Sequence, residues 1–286
     1  MPTIAFRLQS PEVRQGELVA WLDQHAVSGL LQEGDVVTVY SDESSSAEVR
    51  ALIQSIPQDL IQGAVAEELI ADRNWNADWE KTITPIRAGI FRVRPTWGES
   101  VHEEGVTDIL IDPKMSFGTG HHESTRMLLS TLSGKVAKDA RFLDAGTGTG
   151  VLAFAGLMLG ATHADAFDYD PLCLENAAEN ADLNGLTDRF NVFQDDGTNL
   201  DHHLGDATYD VITANINREV LRSMLSVLEK RLKPGGLLGL AGLLLTDAPL
   251  MRDEIGKQGL TIVEESEEGE WWSVWAGKTS EPDISN

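Results

Sequence analysis

FLDAGTGTG, residues 142–150, decides how the rest of the chain is read. An apolar run of strand length ends in Gly146, Gly148 and Gly150, and an apolar helical pattern follows directly. Glycines placed this way allow a tight turn and let a ligand approach the backbone at a helix N-terminus. Two phosphate-binding readings fail on spacing. A dinucleotide loop, G-x-G-x-x-G, needs its third glycine where Val151 stands, and a P-loop needs a Gly-Lys-Ser/Thr that this loop lacks.

The strand pattern that follows, within ADAFDYD (164–170), closes at Asp168, 22 residues after Gly146. A carboxylate at that strand end accepts hydrogen bonds from ribose hydroxyls and disfavours a 2′-phosphate. A third strand pattern, FNVFQDD (190–196), offers Asp195 and Asp196 to an adenine amine. A nucleoside without a pyrophosphate fits the set, which points to S-adenosyl-L-methionine (AdoMet). The alternative is a structural glycine turn with surface acids nearby.

From residue 141 onward, strands alternate with helices: RFLDA, a helix after Gly150, ADAFDYD, PLCLENAAENADLNG, FNVF, YDVITAN, a helix through 218–232, LLGLAG and a final pair of strands. That alternation predicts an α/β fold, a mostly parallel Rossmann-like sheet with helices on both faces. Upstream, ITPIRA, IFRVRP and VTDILID read as short strands.

The N-terminal stretch has a different pattern. TIAFRL alternates as a half-buried strand does, Pro11 opens a helix, and VSGLLQ and VVTVYS flank a turn at Glu33-Gly34-Asp35. SSSAEVRALIQSI reads as a capped helix and AVAEELI as a last strand. The order βαββαβ predicts a ferredoxin-like α+β domain over residues 1–72. It holds no clustered nucleophile, metal set or glycine loop, so recognition suits it better than catalysis. Residues 73–82 read as a linker, 83–278 as the AdoMet-dependent α/β domain, and 279–286 as a disordered tail.

Bulk properties narrow the classes. One cysteine, Cys173, excludes a disulfide framework and a thiolate zinc site. The longest apolar run, GGLLGLAGLLL (235–245), is too short for a membrane span, and no signal peptide is legible, so a cytoplasmic protein is expected. Net charge is −24, with 8 Lys against 14 Arg. Such a balance repels nucleic-acid backbones and suits basic partners. A solvated acidic surface, including one adapted to a salty interior, is the bland alternative.

FGTGHHEST (117–125) admits three readings. A metal site fails because His122-Glu123 is followed by Arg126, where H-E-x-x-H needs its second histidine. Adjacent His121 and His122 also cannot point the same way on a regular element. No metal is expected. A structural glycine-rich turn and a lid over a bound cofactor both stay open on the residues alone.

DPKMSFGTGHHEST, FLDAGTGTGVLAFAGLMLGA, FDYDP, ANIN and LKPGG…LAGLL occur in this order. Together they resemble the ribosomal protein L-eleven methyltransferase family (PrmA), class I AdoMet-dependent enzymes, over essentially the whole chain. In the family the F-G-T-G-x-H-x-x-T loop lies over AdoMet; His121, Glu123 and Ser124 depart from its commoner text, F-G-T-G-T-H-P-T-T. The resemblance implies cofactor contacts from Thr125, Gly146, Asp168 and Asn215. Asp168 would hold the ribose, the Gly146 backbone the methionine end, and Asn215 would act as the catalytic residue facing the transferring methyl. On its own residues, without the resemblance, Asn215 reads rather as a turn residue capping the next helix. The implied substrate is a basic ribosomal protein, methylated on lysine and N-terminal amines and carried by the small domain. The rival readings are methylation of a nucleic acid or small molecule by the same core, or a non-catalytic AdoMet-binding module.

Overall fold

The computed structural model describes residues 3–24, 30–33, 36–42, 45–70, 84–99, 102–112, 114 and 118–279. The chain divides into two compact units, Met1–Asp78 and Trp79–Asn286. The linker assigned to 73–82, the tail after residue 279, Phe117 and the Gly34-Asp35 turn lie outside the described residues.

The first unit contains β1 (Thr3–Gln9), α1 (Gln15–Gln24), β2 (Leu30–Glu33), β3 (Val36–Asp42), α2 (Ser46–Gln54) and β4 (Ala66–Ile70). The strands form an antiparallel sheet in the order β2-β3-β1-β4. Alternation in β1 puts Ile4, Phe6 and Leu8 into a core with Val37 and Val39 of β3, and α1 supplies Leu18 and Leu22. This is the βαββαβ arrangement that the sequence pattern predicts.

The second unit opens with a small sheet of β5 (Ile86–Ala88), β6 (Phe91–Arg94) and β7 (Thr107–Leu110), followed by α3 (Glu123–Leu132). Its main body alternates β8 (Arg141–Ala145), α4 (Val151–Leu159), β9 (His163–Asp168), α5 (Pro171–Leu183) and β10 (Phe190–Gln194). Then come α6 (Leu200–Leu204), β11 (Tyr209–Asn215), α7 (Arg218–Arg231), β12 (Leu232–Leu244), α8 (Ala248–Lys257), β13 (Leu260–Glu268) and β14 (Trp271–Lys278). The seven strands lie in the order β10-β9-β8-β11-β12-β14-β13. Strands β8 to β12 pair in parallel, and β14 runs antiparallel to both of its neighbours.

Neighbouring residues of β8 serve opposite faces. Phe142 packs in one core with α3, α4 and α5, while Leu143 packs in another with α7 and α8. Both side chains are fully buried, and burying each contributes on the order of 2 kcal/mol. Chain order reverses at β8, with β9 on one side and β11 on the other. In open α/β sheets a ligand crevice forms at such a switch point, outside the strands' carboxyl ends.

Three asparagines at four-residue spacing on and after α5 fix the upstream chain to this edge. Asn184 exchanges two hydrogen bonds with the Leu110 backbone, at 2.9 and 2.7 Å. Asn180 Oδ1 accepts from the Asp112 amide at 2.9 Å, and Asn176 Nδ2 donates to the Asp112 carbonyl at 2.7 Å. Asn180 also donates to the Thr149 carbonyl at 3.1 Å, so the segment entering the 112–125 stretch and the glycine loop share one anchor.

Candidate active site

The glycine loop is laddered onto the end of β9. The amides of Gly146 and Thr147 both donate to the Phe167 carbonyl, at 2.9 and 3.0 Å, and the Gly148 amide donates to Asp168 Oδ2 at 2.9 Å. Gly146 has φ +70°, and a Cβ there would stand 2.2 Å from the Ile216 side chain. Only glycine keeps the backbone open at this point.

Two buried carboxylates flank the loop. Asp168 accepts from the Gly148 amide through Oδ2 and from the Asp170 amide through Oδ1, at 2.9 and 3.1 Å. An ionised carboxylate has about four acceptor positions, so backbone contacts leave it capacity for further donors. Asp144, fully buried in β8, accepts instead from two hydroxyls, Thr147 Oγ1 at 2.7 Å and Thr213 Oγ1 at 2.6 Å. Burial pushes its pKa up to about 6; the two hydroxyls oppose the shift, and the charge of Asp168 adds to it.

Asn215 ends β11, and its Nδ2 donates to Thr125 Oγ1 at 3.0 Å. That bond orients the amide so that its oxygen is the group left for a ligand. Thr125 is itself buried in the first turn of α3. His122 caps this helix, its Nδ1 accepting from the Ser124 amide at 3.2 Å. The same nitrogen lies 2.7 Å from Ser124 Oγ, so it is engaged within the cap. The ring also meets Trp271, the first residue of β14, at 4.4 Å between centroids and 71° between planes.

Thr125, Gly146, Asp168 and Asn215 come together on one cavity of about 480 Å³, with Gly118, His122, Tyr169 and Trp271 also on its walls. That volume falls in the range of small-molecule sites, roughly 300–1,000 Å³. Gly118, at φ +110°, is tied to the glycine loop by a 2.7 Å bond from Thr149 Oγ1 to its carbonyl. His121 faces elsewhere: its Nδ1 lies 3.1 Å from Thr119 Oγ1, and it is not among the lining residues. Among the described residues no group of three or more His, Cys, Asp or Glu could hold a metal ion.

The adenine position expected of Asp195 and Asp196 is not provided by those side chains. Asp195 accepts from the Gly197 and Asn199 amides, at 2.7 and 3.3 Å, and Asp196 from the Thr198 amide at 3.0 Å. Neither lines the cavity. Short acidic side chains followed by glycine and threonine close local turns on their own backbone, and that preference wins here. Sequence reading passed over Asp144 and Trp271. The first stands inside FLDAGTGTG itself, whereas only the pairing of β14 with β12 brings Trp271 to the site.

The family description "Ribosomal protein L11 methyltransferase (PrmA)" matches residues 7–279. The chain belongs to the ribosomal protein L11 methyltransferase family. A methyltransferase of that name from Deinococcus radiodurans is 34% identical over 255 residues, covering 87% of this chain and 89% of its own. One from Bacteroides fragilis is 34% identical over 263 residues, covering 91% and 86%. Among solved structures, a ribosomal protein L11 methylase from Lactobacillus delbrueckii subsp. bulgaricus superposes with a TM-score of 0.61 at 25% identity. It covers 69% of this chain and 100% of its own. This methyltransferase therefore carries the doubly wound class I fold, with its cavity at the strand-order switch point.

Proposed function

We propose that this enzyme transfers methyl groups from AdoMet to lysine side-chain and N-terminal α-amines of ribosomal protein L11, a basic substrate. One observation carries the reading: Asp168, Gly146 and Asn215 stand at the ends of three adjacent strands, β9, β8 and β11, along one cavity. AdoMet, when bound, supplies a methyl group already activated on a sulfonium. Asp168 would hold its ribose through the acceptor positions that the backbone leaves free. The Gly146 amide is engaged by the Phe167 carbonyl, so its own carbonyl would receive the methionine ammonium. Thr125 closes the site beside Asn215.

The protein's remaining work is to deliver a neutral amine in line. A free lysine, with a pKa of about 10.4, lies about 4.6 kcal/mol from its neutral form at pH 7. A closed apolar cavity beside a cation lowers that cost. The Asn215 amide oxygen, oriented by its bond to Thr125, accepts an amine N–H and aims the nitrogen lone pair. No strong base is required, and His122, committed to capping α3, is not needed as one. The released proton leaves to solvent.

The ferredoxin-like unit is assigned to substrate recognition. An acidic chain fits a basic protein partner in the cytoplasm, with no direct contact to nucleic acid or membrane. Among the described residues no helix is long and apolar enough to cross a membrane. Methylation of a nucleic acid by the same core is disfavoured by the net charge of −24 and by cavity walls that carry no Lys or Arg among the described residues. Intact-mass analysis of ribosomal protein L11 after incubation with enzyme and AdoMet tests the reading. Stepwise gains of one methyl mass are expected; an unchanged mass with methyl on ribosomal RNA or on a small amine would replace the substrate, and no transfer at all would leave only a binding module.

A further inference from the structure

We infer that Asn180 and Thr149 act as a positioning pair for AdoMet binding, a reading that rests on the cofactor assignment above. Together they set the separation between two walls of the cavity, the glycine loop and the stretch that begins at Gly118. The bonds run in a chain. Asn180 Oδ1 accepts from the Asp112 amide at 2.9 Å, and its Nδ2 donates to the Thr149 carbonyl at 3.1 Å. Thr149 Oγ1 in turn donates to the Gly118 carbonyl at 2.7 Å. Gly118 lines the cavity, as do Gly146, Thr147 and Gly148, which precede Thr149 in the loop. Asp112 and Gly118 flank one short stretch of chain, so both are referred to Asn180, the first directly and the second through Thr149.

The chemistry of a carboxamide suits this place. One partner is a backbone N–H that needs an acceptor, the other a backbone carbonyl that needs a donor, so the orientation of the Asn180 side chain is fixed. Asn180 and Thr149 are both fully buried, where a satisfied polar link holds its geometry firmly. The approach at Gly118 is close: at φ +110°, a Cβ there would stand 2.7 Å from Thr149 Oγ1. A stability role alone would make the three asparagines of this ladder equivalent, and they are not. Asn184 bonds to the Leu110 backbone and to the Asn180 carbonyl of its own helix. Asn176 doubles the grip on Asp112. Among the described bonds of the ladder, that of Asn180 to Thr149 is the one that reaches the glycine loop.

The loop so held carries the contact that orients Asp168, because the Gly148 amide, next to Thr149, donates to Asp168 Oδ2 at 2.9 Å. Helix α5 is also a wall in its own right: Asp170 caps it, and Asp170 and Cys173 line the cavity. One helix therefore supplies a wall at its first turn and, two turns further on, the tie that fixes two others. A site held in this way has little left to order when its ligand arrives. Without the tie, AdoMet must order the glycine loop against Gly118 as it binds. That cost falls on affinity and not on the methyl transfer that follows.

The test uses the full chain. Calorimetry reads AdoMet affinity, urea unfolding reads stability, and methyl transfer to ribosomal protein L11 reads kcat and KM for AdoMet. Asn180→Leu keeps the volume and removes both side-chain bonds; Thr149→Val removes the bond to Gly118, and Thr149→Ser keeps it. Asn180→Leu and Thr149→Val are each expected to weaken AdoMet binding about tenfold and raise its KM in step, with kcat at saturating AdoMet within about twofold of wild type. Thr149→Ser should stay near wild type. Because the two residues belong to one chain of bonds, the double variant should lose well under the roughly hundredfold that independent contacts would give. Asn184→Ala should lower stability yet leave AdoMet affinity within about twofold. Unchanged affinity in Thr149→Val, fully additive losses in the double variant, or an equal loss of affinity in Asn184→Ala overturns the assignment. Should Asn180→Leu fail to fold, the contrast of Thr149→Val with Thr149→Ser decides. Wild type that binds no AdoMet removes the cofactor reading itself; wild type that binds it no better than the variants removes the positioning pair alone.

Discussion

Asp144 and Asp168 lie on adjacent strands, both nearly inaccessible, and their partners separate their roles. Asp168 is held by backbone amides at the cavity wall, whereas Asp144 is sealed beneath the loop between two threonine hydroxyls. Because burial raises the Asp144 pKa from 3.8 to about 6, the folded chain keeps a proton there that the unfolded chain has already lost. Its contribution therefore favours folding at low pH and is lost as pH rises through about 6, leaving a penalty on the order of 2–3 kcal/mol. Asp144→Asn should remove that dependence and stabilise the protein at about pH 8 by about 1–3 kcal/mol, with little change near pH 4. Urea unfolding at both pH values measures it; equal stability of variant and wild type at the higher pH would count against a buried charge. Asp168→Ala should weaken AdoMet binding by about 1.5–3 kcal/mol in calorimetry, since charged hydrogen bonds are lost. Asn215→Ala should instead lower single-turnover rate more than cofactor affinity, because its bond to the amine tightens in the transition state. Reversed effects would exchange the two assignments.

At the scale of elements, the stretch 117–125 is tied to the glycine loop through one hydroxyl, Thr149 to the Gly118 carbonyl. Thr149→Val keeps the volume and removes the donor, so it should cost about 1 kcal/mol and speed hydrogen exchange over residues 118–122. Exchange that stays slow there, with or without AdoMet, favours a structural turn over a lid. The glycine loop, its flanking strands and the βαββαβ order were legible because each rests on local periodicity or on glycines in sequence. Contacts between distant segments were not. The Asn176, Asn180 and Asn184 ladder reaches residues 64 to 74 positions away and leaves no apolar period to read. Helix α8 carried a readable signal, Pro249 in its first turn with Met251 and Ile255 inward, yet it is short and falls between two strong strand patterns. The site shows the same division. Four residues from motif text converge on the cavity, while Trp271 reaches it only through antiparallel pairing of β14, and Asp195 and Asp196 accept from amides of their own loop.

For the molecule as a whole, charge and division of labour are the open quantities. With a net charge of −24, self-repulsion should weaken as salt screens it, so melting temperature should rise over a salt series. The same salt should lower kcat/KM if the acidity also steers a basic substrate. A melting temperature independent of salt excludes self-repulsion as a stability term. The two units make a sharper case. The core of the first draws on residues between Ile4 and Leu60, and those of the second on residues between Ala88 and Ala276, so each has its own packed interior. Removal of residues 1–78 leaves Thr125, Gly146, Asp168, Asn215 and their hydrogen-bond partners in the remaining unit. AdoMet affinity of that fragment should stay near that of the full chain. Methylation of intact ribosomal protein L11 should fall by more than about tenfold, because the acceptor would have to dock through its amine alone. If the first unit only shields apolar surface, the fragment should instead aggregate or lose AdoMet affinity, with activity lost as a consequence. A fragment that binds AdoMet and methylates the whole acceptor at full kcat/KM would refute a recognition role for the βαββαβ unit.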